Sequence, residues 1–120
     1  MSTLKADTIQ STSGGAATLT KQEGSKARVN GTPTATVNAS FNISSGTDNG
    51  TGDFSYSLSN SMSNNLYTQS NTARAGTANE FVTQKNSSRT SSSVMAVFVF
   101  NDAGADSDVA HDAHIVGDLA

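Results

Sequence analysis

The chain has no cysteine, no tryptophan and a single proline, and only 14% of its 120 residues are charged. Without cysteine there is no disulfide framework, no thiolate metal site and no cysteine nucleophile. Aromatic residues make up 6% and all hydrophobic residues 34%. The apolar material for one core is therefore small, and a one-domain chain of this length is expected to bury strand faces against copies of itself. The net charge of -3, with lysines and arginines scattered from Lys5 to Arg89, offers no basic patch and disfavours nucleic acid as a partner. No apolar run reaches membrane-spanning length, so no membrane insertion is expected. The opening MSTLKADTIQSTSGG carries no apolar stretch of the secretory type, which places synthesis and assembly in the cytoplasm of the producing cell.

What the chain has in quantity is Ser, Thr, Asn and Gly, a β-rich and hydroxyl-coated composition, with apolar residues set among them in alternation. Residues 1–32 show little periodicity, with Leu4, Ile9 and Leu19 isolated between glycine breakers, and read as an extended arm. Residues 33–120 read as an antiparallel β domain. Over Thr34 to Ile43 the sequence TATVNASFNI puts Ala35, Val37, Ala39, Phe41 and Ile43 on one side, as in a half-buried strand. FSYSLS repeats the pattern with Phe54, Tyr56 and Leu58. Between them Asn49-Gly50 is a strong hairpin signal, because both residue types tolerate positive φ. Weaker strands are expected over Asn65 to Arg74 and Glu80 to Gln84. SVMAVFVF, Ser93 to Phe100, is apolar on both parities, as in a strand covered on both faces, and a last strand runs from Val109 to Val116. Six short strands predict a small all-β sandwich or barrel behind an N-terminal arm.

Candidate chemistry is sparse. DNGTGD places Asp53 where the helix-loop-helix calcium motif needs glycine and Ser59 where it needs glutamate, so it reads as a turn. Asp102, Asp106 and Asp108 sit in a polar loop of the kind that solvates itself. His111 and His114 are spaced to fall on opposite faces of a strand, which opposes a shared metal within one chain. A site made from one histidine of each symmetry-related chain stays open. The serines lack the strand-turn-helix elbow of a nucleophile, and neither a catalytic residue nor a cofactor is expected.

The opening STLKADTIQ, the TDNGTGDF turn within NISSGTDNGTGDFSYSLSNSMSNNLY, and the closing HIVGDLA together resemble the short fibre and structural proteins of tailed bacteriophages, especially those of marine bacteria. The likeness spans most of the chain, with little contribution from Asn71 to Arg89. It implies an opening segment that attaches to the virion and a β-rich module that commonly trimerises. In the resembled proteins aromatic residues follow the Lys-Ala pair, whereas Lys26-Ala27 leads here to Arg28, which implies different packing around the first strand. The expected function is a non-enzymatic virion protein: a short homotrimeric fibre on head or tail, docked to another virion protein through Leu4, Ile9 and Leu19. Core and oligomer contacts are expected from Val37, Phe41, Phe54, Tyr56, Leu58, Val97, Phe98, Val99 and Phe100. A capsid decoration protein is the alternative. A carbohydrate-binding module for the bacterial surface, with Tyr56, Tyr67 or Phe81 beside the sugar, is a further one. A hydrolase would need a carboxylate pair such as Asp48 with Asp53, or Glu80 with an aspartate, and nothing in their setting supports it.

Overall fold

The computed structural model describes residues 24–74, 79–84 and 92–119, together with Ser13. These contain eight strands and no helix: β1 (Ser25–Gly31), β2 (Val37–Phe41), β3 (Ile43–Gly50), β4 (Asp53–Leu58), β5 (Thr68–Ala73), β6 (Glu80–Thr83), β7 (Val94–Asn101) and β8 (His111–Val116). They form two four-stranded sheets, ordered β2-β1-β8-β5 and β3-β4-β7-β6, in which every paired neighbour is antiparallel. The expected all-β sandwich is what the chain adopts.

The core lies between the sheets and follows period-two alternation. Phe54, Tyr56 and Leu58 of β4 and Met95, Val97 and Val99 of β7 face Ala27 and Val29 of β1 and His111, Ala113 and Ile115 of β8. Ala35, Met62, Tyr67 and Val109, from the connections, complete it. Met62 is seated by backbone bonds on either side, from its own amide to Ser92 and from Ser63 to Asp118, so the segment after β4 closes one end of the sandwich. Each large apolar side chain fully buried here contributes roughly 1.5–3 kcal/mol. The described residues of one chain thus build a closed core between the two sheets.

Four expectations need correction. The span 25–31, read as arm, is β1, an inner strand hydrogen-bonded to β2 on one side and β8 on the other. Its inward residues are Ala27, Val29 and Gly31, and one valine between two small residues announces no apolar period. Residues 25–31 thus belong to the β domain. Leu4, Ile9 and Leu19 lie outside the described residues.

Second, TATVNASFNI is not one strand. An extra residue in β2, opposite the Asn30/Gly31 step, shifts register so that Val37 pairs with Gly31 while Ala39 pairs with Asn30. The side-chain parity flips there. Val37 packs on the core, but Ala39 is exposed and Phe41 is 55% exposed, on the outer face. Asn42 then turns the chain at φ 57 into β3, in the other sheet.

Third, most of the stretch taken as connection is β3 itself. It is an exposed edge strand of small polar residues, which leaves no apolar alternation to detect. Gly46 sits where the Tyr56 ring and the Ala35 carbonyl leave no room for a Cβ.

Fourth, Asn49 and Gly50 end β3, and the two-residue turn is Thr51-Gly52, with Gly50 paired to Asp53 and Gly52 at φ 69. The Asp48 carboxylate accepts the Gly50 amide (3.0 Å), and the Asn49 side chain donates across the ladder to Ser55 (2.8 Å), so both polar side chains hold the strand end rather than the turn tip. β7 agrees with its reading, with Met95, Val97 and Val99 in the core and Ala96, Phe98 and Phe100 on the opposite face, buried or half-buried.

Candidate functional site: a polar trough and a buried histidine

The two histidines fall on opposite faces of β8, as their spacing predicts: His111 is wholly buried and His114 exposed. His111 Nδ1 donates to the Val109 carbonyl (2.9 Å), which fixes the neutral tautomer whose Nε2 accepts the Tyr56 hydroxyl (2.7 Å). Its ring stacks on Phe54, with centroids 4.6 Å apart. Burial holds the His111 pKa below the ordinary imidazole value and Arg74 adds to this, while the Val109 bond and Asp112 pull the other way. Burial likewise pushes the Tyr56 phenol up, helped by Asp48. The pair is a neutral, satisfied core link between the sheets, so His111 is not available to an ion shared between chains.

This link makes stability depend on pH. The unfolded chain takes up a proton at this histidine near pH 6.5 and the folded chain resists it. Stability is thus complete above about 6.5 and declines as pH falls toward the folded-state pKa, by at most about 1.4 kcal/mol per pH unit. Denaturant midpoints measured from about pH 8 to about pH 5 should show this decline in the native chain, and His111→Gln should flatten it. An unchanged slope in the variant would assign the effect to other groups.

The acidic candidates are occupied by local structure. Asp108 accepts the Gly52 amide (2.7 Å), Asp48 that of Gly50, and Asp102 the Asn79 side chain (3.3 Å). Among the described residues no group of three His, Cys, Asp or Glu side chains gathers to hold a metal ion. Tyr56 and Tyr67 are buried, and the Tyr67 hydroxyl donates to the Val94 carbonyl (2.9 Å), so neither offers a ring to a sugar. Phe81 does lie at the surface.

The residues that do converge are on the outer face of the β2-β1-β8-β5 sheet. Directly paired residues share a face. The register therefore draws one row across four strands, Phe41, Arg28, His114 and Ser70, and beside it a second, Ala39, Asn30, Asp112 and Thr72. The small side chains at Ala39, Ser70 and Thr72 leave a hollow of about 430 Å³, walled by Arg28, Asn30, Asp112 and His114.

One end of it is fixed. Asn30 donates to Asp112 Oδ1 (2.7 Å), Arg74 Nε lies 3.2 Å from Asp112 Oδ2, and Asn30 Oδ1 accepts from Arg74 (2.9 Å) and Asn38 (3.1 Å). The Asp112 charge is thereby matched within the fold. By contrast Arg28, His114, Ser70 and Thr72 have no side-chain hydrogen bond or ion pair among the described residues. The arrangement presents hydrogen-bond donors to a ligand.

Three strand-spaced polar pairs, Arg28/Asn30, Ser70/Thr72 and Asp112/His114, were the available sequence signal. It was unreadable while the span of β1 passed for arm. Arg28 points outward from β1. Compared with known proteins, the chain matches no family model, no curated protein and no solved structure.

Proposed function

We propose that this chain is a non-enzymatic structural protein of a tailed-bacteriophage virion, a short homotrimeric fibre. In this reading the segment ahead of β1 docks on the particle and the sandwich stands outward, where it aids adsorption to the host. The resemblance of STLKADTIQ, TDNGTGDF and HIVGDLA supports the virion setting.

The observation that carries self-association is where the aromatics sit. Of the five phenylalanines only Phe54 is in the core, while Phe41, Phe81, Phe98 and Phe100 lie on outer faces. Phe81 is 51% exposed and stacks on Phe100 at 5.7 Å, and Phe98 lies 6.2 Å from Phe100, which makes an aromatic patch on the β6-β7 side of the sheet. A patch of stacked rings on a chain poor in aromatics suits burial against a second copy. The position of β1 suits the docking role, because a load entering at Gly24 meets a strand held by ladders on both sides.

Sedimentation of the purified chain should give a trimer, and Phe81→Ser with Phe100→Ser should give a folded monomer. Removal of residues 1–23 should leave the trimer intact and abolish incorporation into particles. A native chain that sediments as a monomer, or particles that incorporate the truncated chain normally, would sink the corresponding half of the proposal.

A further inference from the structure

We propose that the trough on the outer face of the β2-β1-β8-β5 sheet is a binding site for an acidic saccharide, with Arg28 as partner of the sugar's carboxylate. The inference rests on the trough itself and stands or falls independently of the virion assignment.

Three features of the trough lead to it. The hollow, at about 430 Å³, falls within the range of small-ligand clefts, roughly 300–1,000 Å³. Its walls carry hydroxyl, amide, imidazole, carboxylate and guanidinium groups among apolar patches from Val29, Ala39 and Ala113, a mixture that suits a saccharide, which presents both hydroxyls and C–H faces. And the charge is unbalanced in one direction: Asp112 is matched by Arg74 and Asn30, whereas Arg28 has no anionic partner among the described residues. In a chain of net charge -3, an unmatched guanidinium beside His114 is a local site for an anion, and the planar fork of arginine fits a carboxylate with two parallel bonds. Phe41, half-exposed and directly across the ladder from Arg28, lies beside the residues that line the hollow and offers an apolar face to the C–H side of a pyranose ring. Ser70 and Thr72, on the far strand, turn their hydroxyls to the same hollow. The network of Asn38, Asn30, Asp112 and Arg74 holds one wall in place before any ligand arrives, which lowers the ordering cost of binding.

The test is a titration of the purified full chain followed by amide chemical shifts, with digalacturonate and sialyllactose as acidic probes, lactose as the neutral probe, and acetate and inorganic phosphate as bare anions. The acidic saccharides should move the amides of Arg28, Asn30, Ser70 and His114 and bind at least tenfold more tightly than lactose or either bare anion. Added salt should weaken them. Arg28→Gln should reduce that affinity tenfold or more and Phe41→Ser several-fold, with the unfolding midpoint of each variant unchanged. No shift at these amides with either acidic saccharide would overturn the proposal. So would equal binding of lactose, equal binding of the bare anions, or affinity that Arg28→Gln leaves intact.

Discussion

Gly52→Ala is expected to lower unfolding free energy by about 3 kcal/mol or more, the sum of a left-handed backbone penalty of roughly 1–2 kcal/mol and an overpacking cost of similar size. Gly52 is at φ 69, and a Cβ there would press on the Val99 carbonyl oxygen and crowd the Ser107 amide. Neither neighbour can yield cheaply. The Val99 carbonyl accepts the Ser107 amide (3.1 Å), the Val99 amide donates to the Gly52 carbonyl (2.8 Å), and the Gly52 amide is held by Asp108. A shift at residue 52 would thus propagate into β7 and the loop that leads to β8. Gly104 is the natural control, because its φ is 77 yet nothing lies within 4 Å of its Cβ position. Gly104→Ala should show the backbone penalty alone, about 1 kcal/mol. Equal losses for the two variants in denaturant titrations would mean that the close approach at Gly52 carries no energy.

The second large effect is expected at the corner between the sheets. Asn42→Ala should cost about 2–4 kcal/mol, since alanine loses the amide bonds and also sits poorly at φ 57. The Asn42 side chain donates to the carbonyls of Lys26 (3.0 Å) and Asn60 (2.9 Å) and accepts the Asn60 amide (2.7 Å). One side chain thereby ties the corner to β1 in one sheet and to the segment after β4 in the other. Asn42→Gly keeps the conformation and loses only the bonds, so it should recover roughly 1 kcal/mol of the alanine loss. If glycine proves as harmful as alanine, the backbone conformation contributes nothing, and if both are harmless the amide does not hold the corner.

These two sites mark the border of what was legible. The period-two alternation of Phe54, Tyr56 and Leu58, and the run through Met95, Val97 and Val99 that is apolar on both parities, located two strands, which the fold pairs at the centre of one sheet. β5, β6 and β8 were found within a few residues from weaker patterns. β1 and β3 were not recognised, for one shared reason. Val29 and Ile43 are their only large core-facing side chains, and the inward positions beside them hold Ala27, Gly31 and Gly46, the two glycines lying where the Tyr56 ring takes the space. A strand that contributes backbone ladder and room rather than bulk has no hydrophobic signature. The turn was misplaced by two residues because Asn-Gly tolerates positive φ without requiring the turn tip, and the Thr51-Gly52 site was chosen by contacts with Val99 and Asp108 that are distant in sequence.

The trough shows the same division at the functional level. Opposite faces for His111 and His114 follow from strand spacing alone, as does the shared inward face of Phe54, Tyr56 and Leu58. Composition also settled what the chain lacks: thiol chemistry, a basic face and a membrane-length apolar run. That Arg28, Asn30, Ser70, Thr72, Asp112 and His114 share one hollow depends on β1 and β5 both pairing with β8, in registers set by a bulge and by long connections. Local propensity carries no information about such pairings, because the energy that selects them comes from closing the core between strands far apart in the chain.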